Sequence, residues 1–328
     1  MLSGLDGLVR RFGRFSIAEK AWNRFKCPGL LVGHGVNIQV AGIFSYGQGC
    51  TIGDGTNIVI QKGSELILED RCYVGRFVDI GPGGRISIGS GTTIQDRCIL
   101  LGDVAVGRDC LVAPNVILSS GHHHFDLDPT YLIRDQDQRV REDSSLSSLR
   151  SRPITIEDDC WLGINSVIMR GVRVAKGAIV GAGSFVATSV QPYAMLSGAA
   201  ARQVAKRLDF KPSMRIDASN PGDRPYFYSG FEVSEKSLRT YSAEGGIAAR
   251  AQFVLCLDTL SGGAVHLVVK CIDYPKCEIS HGELLRSVDG EFGEVVFDQG
   301  LTRAADARIA FQVSPSGATI ILKEAWVA

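Results

Sequence analysis

The chain lacks a charge imbalance, a long apolar run and paired cysteine spacings. Its 35 Lys and Arg offset 35 Asp and Glu, which removes the electrostatic basis for nucleic-acid binding. No run of about 18 apolar residues occurs, so no transmembrane helix is expected. The N-terminus has no continuous apolar core of a secretory signal. Nine cysteines are present, but their odd number and scattered spacing argue against a disulfide framework. A cytoplasmic location is the simpler expectation.

What the chain does have is a period of six. Steps of six from Ile88 meet Ile94, Leu100, Val106, Val112 and Leu118. Steps of six from Ile156 meet Leu162, Ile168, Val174, Val180 and Val186. Four residues after these sites stand small or β-branched residues, Cys98, Cys110, Cys160, Ala178 and Ser184 among them. Gly89, Gly107, Gly163 and Gly181 directly follow aliphatic sites, where a chain that must bend wants glycine. This is the hexapeptide pattern of a parallel β-helix, with the aliphatic and the small side chain both pointing into a narrow prism. Weaker rungs continue toward the N-terminus through Val32, Ile38, Phe44, Tyr46, Ile52, Ile58, Leu68, Val74 and Ile80, and the extra residues at Gly81–Gly84 predict a bulged corner. Cys50, Cys72, Cys98, Cys110 and Cys160 fall on the inward small position, as compact apolar fillers.

The period breaks at "SSGHHHFDLDP", Ser119–Pro129, where three of the six histidines stand together. His122 falls on an inward slot too narrow for an imidazole. The register returns near Pro153, leaving residues 122–153 as a polar protruding loop, and a loop of that length in a repeat scaffold carries function or is disordered.

The block Ile154–Val190 and the upstream "VAPNVILSSGHHHFDLDPTYLIRDQ" resemble the hexapeptide-repeat acetyltransferases, among them the galactoside, maltose and bacterial surface-polysaccharide O-acetyltransferases. The resemblance covers residues 30–207. It implies a left-handed β-helix assembled as a homotrimer, acetyl-CoA as acetyl donor, and a catalytic histidine at the start of the protruding loop. Counting from Pro114-Asn115 that histidine is His123; counting from the Gly-His pair it is His122. The coenzyme contacts it implies are Trp161, Gly163, Ile164, Gly181 and Ala182 along the coil edge, with Lys176, Arg202 and Lys206 as phosphate partners. The sequence departs from the family after the last coil. "SGAAARQVAKR" stands where relatives carry Gly-Asn-Pro-Ala-Lys, and Arg202 keeps the basic position.

The three histidines suit a base better than a metal site. A tetrahedral zinc needs three or four converging ligands, and adjacent residues of an extended chain point to opposite sides. No metal is therefore expected. A general base needs one imidazole and an orienting partner, for which Asp126 and Asp128 are the nearby candidates.

Two flanking regions complete the chain. Residues 1–29 read as a basic helical segment that either caps the open end of the prism or makes a peripheral contact with an anionic membrane, which would place the protein at the inner membrane surface. Ser16–Glu19 fits a capping box. Residues 208–219 read as a linker, and 220–328, with runs such as "AVHLVVKCI" and "ATIILKEAWV", as an antiparallel β-sandwich of jelly-roll type. The leading expectation is an O-acetyltransferase acting on a sugar hydroxyl of a bacterial surface polysaccharide or its precursor, with a carbohydrate acceptor and no nucleic-acid partner. The alternatives are transfer to a sugar amine, or a non-catalytic glycan-binding or scaffold protein.

Overall fold

The computed structural model describes residues 29–149, 151–231, 247–258, 263–272, 274–297, 307–315 and 318–328. The helical segment expected over residues 1–29 lies almost wholly outside them. The chain divides into two units, residues 1–209 and 210–328. No described helix is long and apolar enough to cross a membrane.

The first unit is a left-handed parallel β-helix. Short strands stack in register into three faces of a prism. All twelve aliphatic residues of the two unbroken hexad series are at most 3% exposed, which matches the period-of-six reading. Burying each such side chain stabilises by roughly 1.5–3 kcal/mol. The small inward residues also close polar ends. Thr56 Oγ1 donates to Gly75 O at 2.8 Å and Thr92 Oγ1 to Gly107 O at 2.6 Å. Cysteine thiols do the same weakly, Cys110 reaching Glu157 O and Cys160 reaching Ala175 O. Burial pushes the Cys72 thiol up to about 12 and the Cys98 thiol to about 11, so both stay protonated and inert.

The glycines expected at bends have a second reason to be bare. At five corners an aspartate accepts a backbone N–H from the coil before it: Asp54 from His34, Asp70 from Gln48, Asp96 from Arg76, Asp103 from Arg85 and Asp158 from Arg108, all at 2.7–2.8 Å. The residue just before each of those donors is glycine. A Cβ on Gly75 would sit 2.7 Å from Asp96 Oδ1, and one on Gly107 2.5 Å from Asp158 Oδ1. The side chain is missing because the next coil's carboxylate fills its place.

The outward residues differ by face. One face runs in register through Leu31, Thr51, Tyr73, Thr93, Leu111, Trp161, Ile179 and Met195. Apart from Thr51 and Thr93 it is apolar, with Leu111 and Trp161 more than half exposed. A second face begins polar, with Asn37, Asn57 and Asp79 hydrogen-bonded along the column. The third carries Ser45, Ile67, Ser87, Ala105, Thr155 and Arg173. At Gly81–Gly84 the expected bulge is present: Pro82 pairs with Gly102 and Ile86 with Val104.

The second unit begins earlier than expected. The Phe210 ring packs on Tyr226 at 5.1 Å, and Arg215–Asp217 pairs with the last strand, Thr319–Val327. Residues 210–219 are thus part of this unit, and the linker expected over 208–219 is not a separate segment. Its strands form one antiparallel sheet that curls around an aromatic core of Phe227, Phe253, Phe297 and Phe311. Strands Leu284–Asp289 and Gly293–Phe297 stand at opposite ends of the strand order, and Arg286 Nε donates to Val296 O across their gap.

Candidate active site

The excursion leaves the prism after strand Ile117–Ser119 and returns at strand Ile154–Ile156. Its neck is closed by Ser120, whose Oγ lies 2.8 Å from Ser151 Oγ and accepts from Asp103 N at 2.6 Å. Arg152 N donates to Ser120 O. The returning strand pairs Val104–Val106 with Ile154–Ile156 in register.

Inside the excursion lies a helix, α1 (Ile133–Glu142), which the sequence reading does not include. "IRDQDQRVRE" is rich in good helix formers, with Asp135 in the first turn and Arg139 and Arg141 in the last, each complementing the helix dipole. Gln136 and Val140, one turn apart, form its buried face. Gln136 ties the preceding loop down: its Oε1 accepts from Leu127 N and Asp128 N, and its Nε2 donates to Tyr131 O.

On α1, Asp137 reaches the histidines. Its Oδ2 lies 2.5 Å from His123 Nδ1, and its Oδ1 accepts the His124 backbone N–H at 2.7 Å. Burial works against the Asp137 charge, but the His124 N–H and the His123 ring outweigh it and hold the carboxyl below the ordinary carboxylate range. The Asp137 side chain is 15% exposed and that of His123 83%. A carboxylate only accepts, so the neutral His123 ring donates from Nδ1 and keeps the Nε2 lone pair for a substrate proton.

The other two histidines fall differently from expectation. His122 has left the prism and is exposed, and an Arg170 guanidinium N–H donates to its Nδ1. The buried ring is His124, 6% exposed, with the His122 ring edge-on at 4.6 Å. Neither aspartate proposed from sequence orients His123. Asp126 is exposed, and Asp128 caps its own turn by accepting from Thr130 N and Oγ1. Asp137 stands 14 residues from His123, and nothing local in the sequence links them. Its only signal is the run of helix formers around it. Among the described residues no group of three or more His, Cys, Asp or Glu side chains could hold a metal.

The coenzyme candidates gather elsewhere on the prism. Trp161 lies 51% exposed on the apolar face. Gly163–Ile164 and Gly181–Ala182 form the next corner, stacked one coil apart, with Gly183 N donating to Ile164 O. Gly163 N and Gly181 N are used in coil-to-coil bonds to Val180 O and Leu196 O, and a Gly163 Cβ would meet Ala182 N at 2.6 Å. Their glycine identity thus follows from stacking. The strand Val167–Ile168, a whole prism face, separates this corner from Arg170 and the histidines, so a single chain does not bring the two sets together. Lys176 is 4% exposed and so is not an open phosphate partner. Lys206 pairs with Asp209 at 2.7 Å, and Arg202 is exposed on the edge strand Arg202–Lys206.

Comparison with known proteins gives consistent neighbours. Residues 153–187 match a family described as "Hexapeptide repeat of succinyl-transferase". The chain is 27% identical over 185 residues to galactoside O-acetyltransferase of Escherichia coli K12, covering 53% of this chain and 77% of that protein. It is 31% identical over 140 residues to the bifunctional protein GlmU of Thermotoga maritima, covering 43% of this chain but only 25% of that protein. Among solved structures, the polysialic-acid-specific acetyltransferase NeuO shares 21% identity, with 56% of this chain and 89% of that one covered and a TM-score of 0.34.

Proposed function

We propose that this hexapeptide-repeat acetyltransferase moves the acetyl group of acetyl-CoA to a sugar hydroxyl of a surface polysaccharide or its precursor, with His123 as general base. The observation that carries the reading is the His123–Asp137 pair at the mouth of the excursion, with Nε2 left open to solvent. As the acceptor oxygen bonds to the thioester carbon, His123 Nε2 takes its proton. Asp137 stabilises the imidazolium that forms. A backbone N–H from a coil corner meets the oxyanion. The tetrahedral species then collapses, the C–S bond breaks, and the imidazolium returns its proton to the CoA thiolate. Acetyl ester and free CoA result. A positioned base of this kind contributes typically 10²- to 10⁴-fold.

The separation of the Trp161–Ala182 corner from His123 supports a site shared between subunits of a homotrimer, one supplying the base and its neighbour the coenzyme corner. The apolar column through Leu111 and Trp161 supports the same assembly, since a large exposed apolar patch marks an interaction surface. Of the three expected phosphate partners, Arg202 is left open to a coenzyme phosphate. A cytoplasmic site of action follows from the use of acetyl-CoA. The test is CoA release from acetyl-CoA across a glycan panel, with the product treated with mild alkali. Alkali-labile acetate indicates an ester. An alkali-stable product indicates a sugar-amine acceptor. Saturable glycan binding without CoA release indicates a binding protein.

A further inference from the structure

Adjacent histidines His122 and His123 meet opposite partners. The ring of His123 faces the Asp137 carboxylate, a pure acceptor. The ring of His122 faces the Arg170 guanidinium, with the His124 and Phe125 rings edge-on around it. Arginine is always protonated and has no acceptor atom. The ring nitrogen receiving its N–H must therefore be unprotonated, which places the His122 proton on Nε2. In His123 the proton is on Nδ1 and the lone pair on Nε2. Neighbours in sequence thus carry opposite tautomers, and each is set by a charged residue from a different element.

Arg170 does more than touch a ring. It sits at the corner after strand Val167–Ile168, and its second terminal nitrogen reaches Leu149 O at 3.5 Å. It therefore spans the outgoing and the returning end of the excursion. Its Nε is buried without a hydrogen-bond partner among the described residues, and burial lowers the guanidinium below its ordinary value. An unmet buried donor costs stability, so fold stability alone does not account for an arginine here.

We propose that Arg170 is a positioning residue that fixes His122 as a hydrogen-bond donor, proton on Nε2, toward a substrate oxygen, while Asp137 fixes His123 beside it as the base. The role in acetyl transfer rests on the reading above; the tautomers do not. The experiment is long-range ¹H–¹⁵N correlation on the full chain labelled with ¹⁵N-histidine at neutral pH, with His122 and His123 assigned through His122→Gln and His123→Gln. The expected result is an Nε2–H ring for His122 and an Nδ1–H ring for His123. In Arg170→Met the His122 ring should become a tautomer mixture, and kcat should fall about 10-fold with the acetyl-CoA KM unchanged, the size expected for one lost polar contact. Arg170→Lys should recover the His122 tautomer and part of kcat, because an ammonium still donates. A wild-type His122 protonated on Nδ1 overturns the proposal even if neither variant folds, and so does an Arg170→Met spectrum identical to wild type. Expected tautomers with no CoA release on any acceptor would instead uphold the arginine–histidine assignment and remove the acetyl-transfer reading.

Discussion

Asp137→Asn is the sharpest perturbation of the proposed mechanism. The substitution keeps the size of the side chain and removes its charge. In the native structure both carboxylate oxygens are engaged, one with His123 Nδ1 at 2.5 Å and one with His124 N at 2.7 Å. The backbone contact needs only an oxygen, which asparagine retains, so the loop should hold. With that oxygen on His124 N, the asparagine NH2 faces His123 Nδ1 and donates to it, which moves the ring proton to Nε2 and removes the base along with the charge that stabilises the imidazolium. The fall in kcat should therefore approach that of losing the base itself, about 10²- to 10⁴-fold. The acetyl-CoA KM should stay within about twofold, because the proton acceptor is needed only in the transition state. Steady-state CoA release with a saturating acceptor measures both. His123→Ala alone should cost about 10²- to 10⁴-fold, and the double variant should be no worse than His123→Ala. If the two losses multiply instead, Asp137 acts somewhere other than through His123 and the dyad is wrong.

Gly75→Ala pushes a Cβ to 2.7 Å from Asp96 Oδ1 and should cost roughly 1–3 kcal/mol, seen as a lower melting temperature; Gly293→Ala, where the Cβ position is open, should change little, and equal effects would reject the stacking account. Trp161→Glu places a charge on the mostly apolar face and should shift the proposed trimer toward monomer in sedimentation equilibrium; a wild-type monomer with full turnover would remove the shared site. Stability should fall at both pH extremes. Asp137, held below the ordinary range, contributes fully above about pH 4 and loses its contribution as pH falls below that, which protease nicking of residues 122–153 would detect. Cys72 and Cys98, raised to about 12 and about 11 from 9.0, contribute fully below pH 9.0 and lose their contribution as pH rises toward those values. Native thiols that react with iodoacetamide at neutral pH would contradict their burial.

The prism is legible in the sequence because its rule is one-dimensional. Every sixth residue from Ile88 and Ile156 points inward whatever else the chain does, so no long-range knowledge is needed to place it. The break at Gly121 is legible for the same reason. The site is only half legible. His122 and His123 are singled out because the register fixes where the chain departs and the resemblance counts to them, but the carboxylate beside His123 is not, since Asp137 reaches it through the packing of Gln136 and Val140 within the excursion. Arg170 is hidden in another way: it occupies a turn position on a later coil, and only stacking brings it to His122. Lys176 shows the opposite error, where charge near the last coils suggests a phosphate partner and the fold buries the side chain. Gly163 and Gly181 stand out in the sequence at bends, and the coil-to-coil contacts add a second reason for glycine there.

The neck at Ser120 separates two designs within one chain. Ile154 follows Val104 in its column as if nothing had been inserted between the coils, and Ser120 and Ser151 close the gap between themselves. Loop closure depends weakly on length, each doubling adding only about 0.6 kcal/mol. The excursion is therefore an exchangeable cassette. Its length and its helix can change while the scaffold below keeps its register, because the two serines rather than the excursion hold the ends together.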